Sequence, residues 1–104
     1  MPEDAEILSV TQLTREIRDV LEGHIGSVWV EGEISNHRLQ SSGHQYFTLK
    51  DAGAQLSCVM FRGAAARSSA RIQDGALMQV HWEISVYEPR GQYQLRVMKV
   101  ELQG

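Results

Sequence analysis

At 104 residues the chain is the size of one ordinary domain, which excludes two independent cores. Hydrophobic residues make up 42% and charged residues 22%, and no apolar run approaches the roughly 20 residues that a helical membrane span needs. A net charge of -3 excludes a uniformly basic nucleic-acid binder, but the charge is unevenly spread. Residues 1–34 hold two arginines against eight carboxylates. Residues 35–72 hold five cations against Asp51 alone, and the last 32 residues hold three cations against four acids. One face of such a chain can be cationic despite the negative sum, because exposed charges beyond about 10 Å are largely screened. The acidic start lacks the basic and then apolar pattern of a secretory leader, and the single Cys58 allows no internal disulfide. Both features fit a cytoplasmic protein.

Along the chain, Ser9 and Gln12 have capping-box spacing, and Val10, Leu13, Ile17 and Val20 recur every three or four residues. They predict a helix over 10–22 closed by Gly23. This helix makes residues 1–24 an extension to a domain over 25–104. In SVWVEGEIS (27–35), Val28, Val30 and Ile34 alternate with Trp29, Glu31 and Glu33, and the mid-strand Gly32 marks a bend or bulge. HQYFTLKD (44–51) sets Phe47 and Leu49 against Tyr46, Thr48 and Lys50. AQLSCVMFR (54–62) sets Leu56, Cys58 and Met60 against Ser57, Val59 and Phe61, and residues 51–54 form the turn between these two strands.

The Ala- and Arg-rich stretch 63–73 predicts a short helix packed through Ala65 and Ile72. Asp74-Gly75 is a turn. LMQVHWEISVYE (77–88) then alternates with Met78, Val80, Trp82, Ile84 and Val86 on one side, Pro89-Arg90-Gly91 tips a hairpin, and the last strand shifts phase after Val97 as a bulge would cause. Helix, three strands, short helix and two strands is the chain order of a five-stranded Greek-key OB-fold barrel, a mainly β fold.

In such a barrel, ligands lie on the outer face of strands two and three, between the loops joining strands one to two and four to five. SNHRLQSSGH (35–44) and YEPRGQY (87–93) occupy those loops. Asn36, His37, Arg38, Ser42 and His44 belong to the first loop and Arg90 tips the second, with Tyr46, Lys50 and Arg62 on or beside the strands between. Cations that follow phosphates and rings that stack on bases are what an unpaired nucleic-acid strand requires. The same residue types also decorate ordinary hydrophilic hairpins.

Rival chemistries are poorly supported. His37 and His44 lack companions at zinc-ligand spacing, so neither metal nor cofactor is expected. Glu31 and Glu33 share a strand face but meet no second acidic cluster. Cys58 alternates with Leu56 and Met60 as a buried small hydrophobe, and no nucleophile triad or glycine-rich phosphate loop appears. Trp82 and Tyr93 lie in apolar phases and are expected in the core, whereas Trp29 is out of phase and is expected to pack against the first helix.

VWVEGEISN (28–36), SSGHQYFTLKD (41–51), CVMFR (58–62) and VYEPRGQYQL (86–95) resemble, in this order and with matching gaps, the N-terminal segment of the exonuclease VII large subunit. The resemblance spans nearly the whole chain. It implies an OB-fold domain that binds single-stranded DNA and presents it to a nuclease domain farther along the subunit, with small subunits as further partners. It also implies that the hydrolytic residues lie outside this chain, which by itself is no enzyme. Ser57 stands on a third-strand face that is often basic in that family. On this reading Arg38, Lys50, Arg62 and Arg90 contact phosphates, Tyr46 and His44 stack on bases, and Asn36 and Ser42 bond sugar or phosphate. The alternatives are a docking module that uses Trp29 and the acidic helix, and an RNA-binding OB domain.

Overall fold

The computed structural model describes residues 5–103. The first element is helix α1, Val10–Ile25. Its start is the predicted capping box: the Gln12 backbone N–H donates to Ser9 Oγ at 3.0 Å and the Ser9 N–H to Gln12 Oε1 at 2.8 Å, so two otherwise unpaired donors are satisfied. The helix runs past Gly23, because the turn out of helical geometry comes at Gly26, with φ +66°. A glycine inside a helix costs about 1 kcal/mol but does not end it.

Five strands follow: β1 Ser27–Leu39, β2 Gln45–Lys50, β3 Gln55–Met60, β4 Leu77–Tyr87 and β5 Gln92–Leu102. Helix α2, Arg62–Arg67, joins β3 to β4, and a 3-10 turn, Glu88–Arg90, joins β4 to β5. The strands close in the order β1-β2-β3-β5-β4, with a short parallel contact between β3 and β5 and antiparallel pairs elsewhere. This is the OB-fold barrel that the chain order predicts. Closure depends on β1, whose first half pairs with β4 and whose second half pairs with β2. The change of partner falls at Gly32, where a Cβ would stand 2.8 Å from Leu49 Cγ and 2.9 Å from the Lys50 carbonyl oxygen. Only glycine lets the two backbones come this close.

The core is the inward phase of each strand: Ile34, Phe47, Leu49, Cys58, Met60, Met78, Val80, Leu95 and Val97 are all buried. The register shift in β5 leaves Met98 as the extra residue between the Trp82–Val97 and His81–Lys99 pairs, which restores Val100 to the inside. Ala64 and Ile72 carry α2 and its following loop onto the core, with Ala65 half-buried beside them.

Three aromatic expectations are corrected. Tyr93 does share the face of Leu95, but it lies at a barrel mouth beside Val30, Leu49 and Leu56 and is 59% exposed. Trp82 is half-buried and outside the buried set, with its ring against Arg96. Trp29 stacks on its cross-strand partner His81, ring centroids 4.6 Å apart, and stays half exposed.

No residue of α1 is buried. The helix lies against β4 and the 3-10 turn, while Val10, Leu13, Ile17 and Val20 form an exposed apolar row. Among the described residues no helix is long and apolar enough to cross a membrane.

Candidate nucleic-acid interface

The site begins with a defect in β1. Ser35 pairs with Thr48 and Arg38 with Tyr46, so Asn36 and His37 together oppose the single residue Phe47. This is a β-bulge, and Asn36 takes the left-handed backbone, φ +51°, that such an extra residue needs and that asparagine tolerates. Strict alternation from Ser35, which faces outward, would turn Arg38 inward. The extra residue reverses the phase and puts Arg38 outside, beside Tyr46. The bulge is held from the loop after α2: the His37 N–H donates to Asp74 Oδ1 at 2.9 Å, and the Gly75 N–H donates to the Ile34 carbonyl at 2.8 Å.

Arg38 and Tyr46 open onto a groove of about 620 Å³ that runs to the β4–β5 loop. Arg90 and Tyr87 line its far side, Gln92 and Gln94 rise from β5, Val59 contributes from β3 and Phe61 from the step between β3 and α2. Val59 belongs to the outer phase, opposite Tyr46, yet it is only 2% exposed because these neighbours cover it. The groove therefore has an apolar floor between two guanidinium groups and three aromatic rings. Arg90 sits on a loop tied to α1, since Glu88 accepts from Arg15 Nε at 3.1 Å and from Arg18 Nη1 at 2.6 Å. The hydrogen bond to Asp19 and the charge of Glu88 raise the Arg18 pKa above its usual value, although desolvation opposes them.

The other predicted site residues lie around this groove. His37 turns toward α2, where its Nε2 is 2.7 Å from Gln45 Oε1. His44 is fixed in place: its Nδ1 accepts the Arg62 N–H at 2.9 Å and its ring meets Phe61 in a T-shaped contact at 5.2 Å. Ser42 Oγ accepts the His44 N–H at 3.4 Å within the same turn, and the Arg62 side chain lies against Gly43. Lys50 shares the outer face of Tyr46, but four residues along β2 is about 13 Å. There it lines a cleft with Glu31, Glu33 and Asp51, and Asn36 lines a second cleft beside it.

So the fold brings Arg38, Tyr46 and Arg90 into one groove, sets His44 and Ser42 in the adjoining β1–β2 loop with Arg62 of α2 against them, and keeps Lys50, Asn36 and His37 apart from it. Gln40, Phe61, Tyr87, Gln92 and Gln94 also line the groove and were not among the expected residues. Phe61 and Tyr87 each stand at the end of a strand, where the alternation that identified Tyr46 gives out. Among the described residues no three histidines, cysteines or carboxylates come together as metal ligands. Cys58 is buried in the core, where desolvation pushes its thiol up to about 12, against a lowering backbone hydrogen bond at Leu49.

The family model described as an OB-fold nucleic acid binding domain matches residues 8–101. The exodeoxyribonuclease 7 large subunit of Geotalea uraniireducens is 52% identical over 101 residues, covering 97% of this chain and 23% of the relative. The chain thus spans less than a quarter of the curated relatives it matches. Among solved structures, the S. pombe Stn1-ten1 complex superposes with a TM-score of 0.64 at 19% identity, over 76% of this chain and 59% of that one. A replication protein A heterotrimer bound to ssDNA superposes with a TM-score of 0.63 at 8% identity, over 77% of this chain and 59% of that one. At these identities the two structures show the fold. The family match over nearly the whole chain, together with the closed five-stranded barrel, establishes that this chain belongs to the family of OB-fold nucleic acid binding domains.

Proposed function

We propose that the groove between Arg38 and Arg90 holds single-stranded DNA and that the chain presents it to a nuclease portion of the same subunit lying outside these residues. One observation carries the reading: two guanidinium groups, Arg38 on β1 and Arg90 on the β4–β5 turn, and three aromatic rings, Tyr46 on β2, Phe61 just past β3 and Tyr87 at the end of β4, converge on one groove floored by Val59. Phosphates repeat along a strand and bases have a π-face whatever their identity, so this combination grips an unpaired strand without reading its sequence. The exodeoxyribonuclease name of the relatives supports DNA as the polymer. The rest of the large subunit and the small subunits are the partners this reading implies, in a cytoplasmic assembly. Arg62, Ser42 and His44 flank the groove as rim contacts, while Lys50 and Asn36 would meet the strand only if it continues along β2.

A titration of the chain into a labelled 15-nucleotide DNA at low and moderate salt tests the proposal. A saturable signal that weakens with salt supports it, and a flat titration at low salt excludes it. Unlabelled RNA of the same sequence displaces the probe less well if DNA is the ligand and equally or better if RNA is.

A second reading is favoured by the exposed row Val10, Leu13, Ile17 and Val20 on α1. Such a row on a helix with no buried residue suits docking to another part of the large subunit. The two readings use different surfaces and are compatible.

A further inference from the structure

We propose that Phe61 is the platform on which one unpaired base stacks, and that Arg96 and Trp82 hold it from behind. This rests on the groove being a DNA site and adds where in it a base is held. Phe61 is the N-cap residue of α2, a position where serine, threonine, aspartate or asparagine would supply a capping oxygen. Its side chain makes no such bond. The ring is instead 38% exposed and lines the groove with Tyr46 and Tyr87.

Behind it runs a continuous ladder. The Arg96 guanidinium carbon is 5.5 Å from the Phe61 ring centroid and 5.1 Å from that of Trp82, and the His44 ring meets Phe61 at 5.2 Å and 78°. Arg96 Nε is enclosed without a hydrogen-bond partner, and none of the ion pairs of the described residues includes Arg96. Burying part of a guanidinium in this way is costly. In return the Phe61 ring is fixed by a cation–π contact before any ligand arrives, so little side-chain freedom is lost when a base stacks on it. None of the ion pairs of the described residues includes Arg38 or Arg90, which leaves these two groove guanidiniums for the flanking phosphates.

Two labelled 12-nucleotide probes separate this from phosphate binding: oligothymidine, and an abasic strand of the same charge. The parent chain should bind oligothymidine about tenfold more tightly, a factor within the range for stacking. Phe61→Leu should bind oligothymidine about tenfold more weakly and leave the abasic affinity unchanged, while Phe61→Tyr keeps most of the preference. Equal losses on both probes, or no loss on either, would overturn the platform. Parent binding that ignores the bases overturns it too, yet leaves the DNA site standing, whereas failure to bind either probe removes both. A variant with Phe61 intact gives a second readout. With Trp29→Phe, Trp82 is the remaining tryptophan, and saturating oligothymidine should shift its emission while the abasic strand does not. Equal shifts, or none, contradict the proposal.

Discussion

Asp74 accepts the backbone N–H of His37 at 2.9 Å, and this bond holds the bulge that turns Arg38 toward Tyr46. The amide belongs to the two residues left over by the register shift, so it has no partner in the β1–β2 ladder. Asp74→Ala should cost about 1 kcal/mol, the usual loss for such a bond. It should also weaken oligonucleotide binding severalfold, although Asp74 is itself acidic and its removal makes the loop more cationic. Thermal denaturation and a binding isotherm on the same sample check both. Tighter binding in the variant would show that the charge matters and the bulge does not.

Gly32 should accept no side chain. A methyl group there meets Leu49 Cγ and the Lys50 carbonyl closer than 3 Å, so Gly32→Ala must shift β2 or repack Leu49. Overpacking of this kind costs about 1–3 kcal/mol. A melting temperature unchanged by the substitution would mean that β1 can change partner without this close approach.

The Cys58 thiol gives a pH signature. Its folded pKa, raised to about 12 by burial, stands above the ordinary value of 9.0. The unfolded thiol ionises first, so this contribution to stability is complete below about pH 9 and is lost as pH rises toward 12. Urea midpoints should fall more steeply between about pH 8.5 and 10.5 for the parent than for Cys58→Ala, whose baseline carries the remaining titrating groups. The native thiol should also resist alkylation near pH 8.

The fold was legible in the sequence because its signals are local or periodic. Ser9 and Gln12 announce a helix start, Phe47 and Leu49 an inner face, and Met98 a phase shift. The site was legible only in part. Tyr46 could be placed from its strand phase and Arg90 from its hairpin tip, but Arg38, expected in a loop, stands on β1, and its outward turn depends on a bulge that Asp74 holds through His37, 37 positions away. Arg96 escaped notice for a similar reason: its contacts join β5 to Trp82 on β4 and to Phe61 at the start of α2, 35 positions earlier. Tyr93 had the right phase and the wrong burial, because alternation reports the face of a strand and not whether the barrel extends that far.

Lys50 and Arg90 make a contrasting pair. Lys50 stands with Glu31, Glu33 and Asp51, and Arg90 opens onto the aromatic groove. Lys50→Ala should therefore change oligonucleotide affinity less than Arg90→Ala at the same salt, in side-by-side anisotropy titrations. The reverse order would move the strand's path down β2 and away from the β4–β5 loop.

The most direct measurement is the salt dependence of DNA binding by the parent chain and by Arg38→Ala/Arg90→Ala. Each phosphate contact on a single strand contributes about 0.7 to the slope of log K against log salt, so losing two should lower it by about 1.4 and weaken unrelated sequences alike. An unchanged slope in the double variant would contradict the groove as the place where the strand is held.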